Sequence, residues 1–184
     1  MTGTISDPRP DRATGFHRLA VQAIAPLTPD AVAITLGTPA GPAGLFDFRA
    51  GQHLVLRRLI GGREERRTYS LCTAAGSGTL QVAVKRLTGG VVSTWLTEQL
   101  RVGDEVEVLP PSGTFGPVLA AGNRQTYGLI AVGSGITPLI SIASTVLEVE
   151  PDSEVVLVYG NRTSGEVMFL EERSAAPTLR LEFC

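Results

Sequence analysis

The chain carries Arg-Thr-Tyr-Ser at residues 67–70 and, some twenty residues later, Gly-Gly-Val-Val-Ser at residues 89–93. The first stretch places a cation, an aromatic ring and a hydroxyl group at the end of a predicted strand. The second places a glycine turn and a hydroxyl where a helix is predicted to start, and such positions bind anions because backbone N–H groups are exposed there. Together the two stretches predict a site for a flat aromatic cofactor with a phosphate tail.

Each stretch also has a simpler explanation. The tetrapeptide alone is compatible with a plain surface strand that bears an exposed arginine and a half-buried tyrosine. The glycine stretch alone is compatible with an ordinary strand-to-helix turn in which Ser93 caps a helix over residues 94–100 that ends at Gly103. The two explanations of the glycine stretch are compatible, because a helix cap also leaves backbone N–H groups free for a phosphate.

Short runs of alternating apolar and polar residues surround these motifs from about residue 16 to residue 111. Glycine-rich and proline-rich turns separate the runs, which is typical of an all-β sandwich or barrel. The runs are residues 19–23, 31–36, 53–56, 79–84 and 105–108.

From residue 127 the pattern changes to strand, helix, strand, helix, strand, which predicts a parallel α/β sheet. Residues 127–132 form an apolar run typical of a strand buried on both faces. Thr137 is predicted to cap the next helix, with Pro138 at its first position. A second strand covers 154–159, Thr163 and Glu166 form a capping box for a helix through Arg173, and a third strand covers 179–183.

The first of these strands leads into Gly-Ser-Gly-Ile-Thr-Pro at residues 133–138. A Gly-x-Gly turn between an apolar strand and a helix is a place for a second phosphate-bearing ligand. The alternative is a tight strand-to-helix turn, since Pro138 stands where the usual dinucleotide fingerprint has glycine or alanine. Two such sites in one chain suggest electron transfer between two nucleotides.

Composition excludes several other classes of protein. The chain has 184 residues, a net charge of −2 and 43% hydrophobic residues, so it lacks the basic balance of a nucleic-acid binder and can bury a core. No run is long enough to span a membrane, and the polar N-terminus lacks a secretory signal, so we expect a cytoplasmic protein. The two cysteines, Cys72 and Cys184, form no metal-binding pattern.

The three motifs together resemble the ferredoxin–NADP reductase superfamily. Residues 67–70 look like its Arg-x-Tyr-Ser flavin motif, residues 90–93 like its Gly-x-x-Ser phosphate motif, and residues 133–138 like its Gly-x-Gly-x-x-Pro nicotinamide motif. The finer match, carried by residues 51–54, 84–86, 159–162 and 167–170, is to the reductase components of phenylacetyl-CoA epoxidase and ketosteroid hydroxylases.

The resemblance implies an antiparallel Greek-key flavin-binding barrel followed by a partial α/β nucleotide-binding domain. The expected divisions are a loose tail at 1–14, an FAD-binding barrel at 15–118 and a partial NAD(P)-binding domain at 124–184. FAD would be the prosthetic group and NADPH the electron donor, with NADH left open. The electron acceptor would be a ferredoxin domain or an oxygenase component.

The family's site residues carry over by position. Ser70 and Thr137 would act at the flavin's reactive ring, and no metal ligand is implied. The implied FAD contacts are Arg67, Thr68, Tyr69, Ser70, Val84, Lys85, Gly89, Gly90, Val91, Val92, Ser93 and Thr137, and the implied NAD(P) contacts are Gly133, Gly135, Ile136, Pro138, Asn161 and Arg162.

Family members continue beyond the third strand of the second domain, and many carry a four-cysteine iron–sulfur domain. With only two cysteines, this chain is expected to hold no iron–sulfur cluster. It is expected to bind FAD but to bind NADPH weakly, since the family's remaining strands would follow residue 184. The rival interpretations are a flavin-binding electron-conduit subunit without its own NAD(P)H activity, and an inactive fragment.

Overall fold

The computed structural model describes residues 15–38, 44–169 and 179–183; for the last segment only the backbone is described. The expected loose tail, residues 1–14, lies outside the described residues. The first half of the chain folds into six strands, as the alternating runs predict. They are β1 His17–Thr28, β2 Ala31–Leu36, β3 His53–Ile60, β4 Arg63–Ser70, β5 Leu80–Lys85 and β6 Glu105–Val108.

These strands form one antiparallel sheet in the order β4-β3-β6-β1-β2-β5. The two outer strands meet where Leu71, just after β4, pairs with Val82 of β5. This contact closes the sheet on itself, so the predicted antiparallel barrel is confirmed. The interior is filled by the inward-facing residue of each alternating pair, including Leu19, Leu54 and Val82, each at most 1% exposed.

The helical segment that follows β5 differs from its prediction. Helix α1 covers Val91–Thr94 and continues as a π-helical turn over Trp95–Gln99, with Gly90 as the N-cap residue. Ser93 is therefore inside the helix and does not cap it. Its hydroxyl accepts a hydrogen bond from the Leu87 N–H and donates one to the Gly90 carbonyl, both at 3.1 Å. These hydrogen bonds stabilise the preceding turn, and the helix starts at Val91, three residues earlier than predicted.

The second half forms a parallel sheet in the order β7-β8-β9, which confirms the predicted strand–helix–strand pattern. The strands are β7 Thr126–Val132, β8 Glu154–Gly160 and β9 Leu179–Phe183, and helix α2 covers Ile136–Val149 between the first two.

The start of α2 was predicted incorrectly. Gly133–Gly135 forms a 3-10 turn, so that Gly135 is the N-cap residue of α2 and Pro138 is its third residue. Thr137 does not cap the helix, because its hydroxyl donates to the Ser134 carbonyl at 3.1 Å. The carbonyl that accepts this hydrogen bond belongs to the 3-10 turn itself.

Strand β7 is not buried on both faces, contrary to the prediction from its apolar run. Ala131 is 4% exposed and lies under α2, whereas Ile130 and Val132 on the opposite face are 79% and 74% exposed. β7 is also the outer strand of the described sheet. Hydropathy alone therefore overstated the burial of this strand.

The predicted capping box does not form either. Only Ser164–Glu166 is helical, as a short 3-10 turn, and Thr163 makes no side-chain cap hydrogen bond. The Glu166 carboxylate instead accepts hydrogen bonds from Lys85 and Arg162. The rest of the predicted helix, from residue 170, lies outside the described residues.

Helix α2 packs against the barrel as well as against its own sheet. Ala50, Cys72 and Ala83 of the barrel share a buried cluster with Ile142 and other residues of α2. The Ala75 N–H of the barrel donates to the Thr145 hydroxyl of α2 at 2.9 Å. None of the helices that the structure describes has the length and apolar composition needed to cross a lipid bilayer.

Candidate functional site

A cleft of about 370 Å³ lies where the end of β4, the segment from β5 to α1, and the start of α2 meet. We call it the seam cleft, because it lies between the barrel and the parallel sheet. All three sequence motifs contribute to its wall. The residues lining it are Arg67, Thr68, Tyr69, Ser70, Ala83, Lys85, Leu87, Ser93, Ser134, Gly135, Thr137 and Pro138.

Arg67 brings a half-exposed guanidinium to the barrel side of the seam cleft. Its NH2 group lies 3.1 Å from the Glu65 carboxylate, two residues earlier on the same face of β4, and its NH1 group donates to the Arg66 carbonyl at 2.7 Å. An exposed ion pair of this kind contributes little stability. A ligand phosphate can therefore compete for the guanidinium at low cost.

Tyr69 and Ser70 follow Arg67 along β4, opposite Leu54 and His53 of β3. Burial raises the pKa of Tyr69 to about 12, against the opposing effect of the nearby Arg67 cation. The phenol is therefore neutral at any physiological pH, so it can pack against a ring and donate a hydrogen bond. Ser70 adds a second neutral hydroxyl to the same wall.

Lys85 enters the seam cleft from the end of β5 and is already ion-paired. Its Nζ lies 2.8 Å from Oε2 of Glu166 and 3.7 Å from Oδ2 of Asp30, and only 12% of its side chain is exposed. Because side chains alternate along a strand, the neighbouring Val84 points the other way and is fully buried in the barrel core. The structure thus leaves only the backbone of Val84 for the predicted cofactor contact.

The glycine turn before α1 is only partly directed at the seam cleft. Gly89 has a φ of +74° and is exposed, and Val91 is 47% exposed, whereas Val92 is 2% exposed and belongs to the barrel core. Ser93 lines the cleft, although its hydroxyl is engaged in the hydrogen bonds that brace the turn. The predicted phosphate contacts at residues 89–93 stay a prediction.

The opposite wall is formed by the turn that leads from β7 into α2. Gly133 has a φ of +52°, a left-handed value that favours glycine. Ser134 and Gly135 of this turn, with Thr137 and Pro138, line the seam cleft, whereas the side chain of Ile136 is 1% exposed and lies in the core. The Gly-x-Gly turn and the β4 motif therefore face one common space.

Asn161 and Arg162 follow β8 and do not line the seam cleft. Within the described part of the chain, neither Oδ1 nor Nδ2 of the buried Asn161 amide has a hydrogen-bond partner. Arg162 pairs with Glu166, its NH2 group lying 3.1 Å from Oε2. An orphaned amide costs free energy in the free protein, and a ligand that both donates and accepts hydrogen bonds would recover that cost.

The residues present therefore fit two phosphate-bearing ligands with planar rings. The observations that carry this fit are a cleft with a cation and a neutral tyrosine on one wall, a glycine turn on the other, and the orphaned Asn161 amide beyond it. Within the ranges that the structure describes, no three metal-ligating side chains form a cluster.

Sequence reasoning missed four residues at or beside the site: Ala83, Leu87, Ser134 and Glu166. Ala83 could have been found from strand alternation, since it lies two residues before Lys85 on the same face of β5. Leu87 lies beyond the end of β5, where no periodic pattern indicates its direction. Ser134 lies between two glycines that were identified. Glu166 was assigned to a helix cap, although its spacing of four residues from Arg162 also indicated an ion pair.

Comparison with known proteins identifies the chain's family. Residues 18–116 match the oxidoreductase FAD-binding domain, and residues 129–179 match the oxidoreductase NAD-binding domain. The chain belongs to the oxidoreductase FAD-binding domain family. The seam cleft lies between the two matched regions, with residues 67–93 on the FAD-binding side and residues 133–138 on the NAD-binding side.

Two similar curated proteins are named as components of oxygenase systems. The chain is 44% identical over 156 residues to a component of the 1,2-phenylacetyl-CoA epoxidase of Escherichia coli, an alignment that covers 85% of this chain and 44% of the relative. It is 37% identical over 160 residues to the ferredoxin reductase component of 3-ketosteroid-9-alpha-monooxygenase of Rhodococcus rhodochrous, again covering 85% and 44%. The chain thus spans less than half the length of these relatives.

Solved structures show the same fold. An Amycolatopsis cytochrome P450 reductase matches with a TM-score of 0.78 and 31% identity, covering 91% of this chain and 51% of that one. Phthalate dioxygenase reductase matches with a TM-score of 0.77 and 28% identity, covering 94% and 53%. The predicted resemblance to the ferredoxin–NADP reductase superfamily and the predicted fold class are confirmed.

Proposed function

We propose that the chain is the flavin-containing reductase part of an oxygenase system, which takes reducing equivalents from NAD(P)H and delivers electrons to an iron–sulfur or oxygenase partner. The observation that carries this proposal is the single seam cleft that joins the β4 motif to the Gly133–Gly135 turn. FAD, when bound, accepts a hydride from a nicotinamide and releases electrons one at a time.

The barrel wall would bind the FAD. Arg67 is the proposed phosphate ligand, because it is the cationic residue of β4 that lines the seam cleft. Tyr69 packs beside the ring, and its raised pKa keeps it uncharged there. Ser70 donates a hydrogen bond near the reactive nitrogen, with Thr68 beside it. The other residues proposed to contact FAD are Val84, Lys85, Gly89, Gly90, Val91, Val92 and Ser93.

The opposite wall would bind the nicotinamide nucleotide. Gly133 and Gly135 have no side chains, so the backbone of the turn can approach the nucleotide closely. Pro138 lines the seam cleft beside this turn. Thr137 faces the shared space and would contact the ring from this side, as Ser70 does from the barrel side. No side chain is needed as a general acid or base, so the protein's contributions are position, stacking and exclusion of water.

NADPH is the proposed donor, with NADH as the alternative. Arg162 would contact a phosphate and Asn161 would pair its orphaned amide with the nucleotide. In the free protein Arg162 is held by Glu166, so a phosphate must displace that carboxylate. Because the Arg162 side chain is 81% exposed, this competition lowers the affinity only slightly, and the weak binding of NADPH to this chain stays a prediction.

The electron acceptor is proposed from the relatives. Those named above belong to epoxidase and monooxygenase systems, and one is a ferredoxin reductase component. We propose a ferredoxin domain or an oxygenase component as the acceptor for this chain. A cytoplasmic location stays a prediction.

Anaerobic stopped-flow spectroscopy tests this function. The chain loaded with FAD is mixed with NADPH or with NADH, and the flavin absorbance is followed with and without a one-electron acceptor such as cytochrome c. We expect flavin bleaching whose rate saturates only at high NADPH concentration. Rapid reduction by micromolar NADPH would contradict the weak binding, and bound flavin that neither nucleotide reduces would contradict the reductase function.

A second candidate is a flavin-binding electron conduit without nicotinamide activity. It is favoured by one observation: Glu166 pairs with Arg162, the cation predicted to meet a phosphate of the nicotinamide nucleotide. In this case dithionite reduces the bound flavin and the acceptor is then reduced, but NADPH and NADH have no effect.

A further inference from the structure

Tyr159 reaches from β8 to the Gly133–Gly135 turn and to the segment after β8. Its ring is 2% exposed. Its hydroxyl donates a hydrogen bond to the Gly133 carbonyl at 3.1 Å and accepts one from the Met168 N–H at 3.4 Å. One buried phenol thus connects the first glycine of the turn with a segment 35 residues further along the chain, as the residue numbers 133 and 168 give.

The turn needs such a support because its own residues are flexible. Two of its three residues are glycines, which have the largest backbone freedom in the unfolded and locally opened states. Nothing lies within 4 Å of a Cβ placed on either glycine, so neither residue is closely packed on the side where a side chain would stand. The carbonyl of Gly133 also accepts a hydrogen bond from Ile136, and this closes the 3-10 turn.

Fixing the Gly133 carbonyl also fixes the peptide plane it shares with the Ser134 N–H, because the peptide bond is planar. Ser134 lines the seam cleft. The direction of this N–H therefore depends on the Tyr159 hydroxyl. A phosphate or nicotinamide bound in the seam cleft would meet this N–H.

We propose that Tyr159 is a positioning residue for the nicotinamide-nucleotide turn. It does not line the seam cleft itself and acts through Gly133. This inference rests on the proposed function, since it assigns the turn to NAD(P)H.

Tyr127 provides a matched control. It is also a tyrosine of the parallel sheet, on β7, and its hydroxyl donates to a buried acceptor, Oε2 of Glu150, at 2.8 Å. It lies at the start of β7, whereas the turn lies at the end of that strand. Tyr127→Phe therefore removes a hydroxyl that donates to a buried carboxylate in the same domain, without touching the turn.

The first measurement is amide hydrogen exchange of residues 133–137 in the nucleotide-free protein. We expect Tyr159→Phe to increase the exchange rate by about tenfold, the effect of losing one buried hydrogen bond. Tyr127→Phe leaves exchange in this segment unchanged.

The second measurement is flavin reduction in the FAD-loaded protein, where Tyr159→Phe raises the NADPH concentration for half-maximal rate by about tenfold. The limiting rate and the FAD dissociation constant stay at wild-type values.

Wild-type exchange rates in Tyr159→Phe overturn the proposal, and so do equal effects of the two variants, which would mean a general loss of stability. Faster exchange with unchanged NADPH dependence overturns it too, because the turn is then not the nucleotide site. If nicotinamides do not reduce the wild-type flavin, the proposed function fails, and the exchange result still decides whether the hydroxyl holds the turn. If Tyr159→Phe does not fold, the absence of a slowly exchanging Tyr159 hydroxyl proton in wild-type nuclear magnetic resonance spectra overturns the proposal.

Discussion

Lys85 of the barrel, which lines the seam cleft, forms an ion pair with Glu166 of the parallel-sheet unit, with Nζ and Oε2 separated by 2.8 Å. The same carboxylate oxygen lies 3.1 Å from the NH2 group of Arg162. A single anion therefore holds two cations that a phosphate-bearing ligand would otherwise attract. The hydrogen bond from Lys85, which is the largest effect, and the pairing with Arg162 lower the pKa of Glu166, so it is ionised at neutral pH.

Glu166→Gln should increase the affinity for NADPH. Removing the carboxylate charge leaves Arg162 more attractive to the phosphates of NADPH, and we expect a gain of about two- to fivefold at low ionic strength. The gain should decline with added salt, because salt screens exposed charges. The control is Glu98→Gln, whose partner Arg86 lies outside the seam cleft. Weaker NADPH binding in Glu166→Gln would show that the carboxylate assists the ligand.

Glu150 should make the fold sensitive to acid. Burial by itself would raise the pKa of this carboxylate, but hydrogen bonds from the Ala120 N–H and from Tyr127, Asn123 and Ser153 outweigh it and lower the pKa to about 2 from 4.5. Because the folded-state pKa is the lower one, the stabilisation is complete above about pH 4.5 and is lost as the pH falls towards 2.

Denaturant unfolding measured across this pH range checks the prediction. The free energy of unfolding of the wild type should fall between pH 4.5 and pH 2. In Glu150→Gln that fall should be smaller, and stability at neutral pH should be lower. Parallel pH profiles for the two proteins would contradict the assignment.

Alanine substitutions at Gly51 and Gly61 distinguish the free-energy cost of backbone strain from the cost of a steric clash. Both have left-handed backbone angles, with φ of +84° and +57°. A Cβ at Gly51 would lie 1.8 Å from the Phe115 carbonyl oxygen, whereas nothing lies within 4 Å of a Cβ at Gly61. Gly61→Ala should cost about 1–2 kcal/mol from strain alone, and Gly51→Ala about 1–3 kcal/mol more. Equal unfolding free energies for the two variants would show that residue 115 moves freely.

Ser141 and Thr145 are buried hydroxyls one turn apart on α2, and their substitutions should have opposite effects. Ser141 Oγ has no hydrogen-bond partner among the described residues, so Ser141→Ala should be neutral or stabilise by about 1 kcal/mol. Thr145 Oγ1 accepts from the Ala75 N–H, so Thr145→Val should destabilise by about 1–3 kcal/mol. Thermal unfolding of both variants checks this, and a destabilised Ser141→Ala would reveal a partner for that hydroxyl.

The strands of the barrel could be predicted because they are buried on one face only. Alternation of the kind seen at Leu19 and Val21 follows directly from the two-residue period of a strand with one buried face. The parallel unit was predicted equally well, since strand and helix alternate along it. The three motifs meet in the seam cleft because each lies at the end of a strand.

The errors arise where a polar side chain has a choice of partners. Ser93 and Thr137 are residue types that often cap helices. The hydroxyl of each donates instead to a nearby backbone carbonyl. Glu166 fits a capping box, and its partner Lys85 is 81 residues away in sequence. The exposed face of β7 was missed because an apolar run does not reveal which face a helix covers. These outcomes depend on the assembled fold, which local sequence does not contain.

Flavin binding through Arg67 is tested most sharply by an FAD titration of the apoprotein, with flavin fluorescence and absorbance as readouts. We expect a yellow wild-type complex and an FAD affinity reduced by about tenfold or more in Arg67→Ala, the effect of losing a hydrogen bond to a charged group. Arg63→Ala, at the exposed start of the same strand, serves as the control and should bind FAD as the wild type does. A folded but colourless wild type, or equal FAD affinities for the two variants, would contradict the assignment of the seam cleft to FAD.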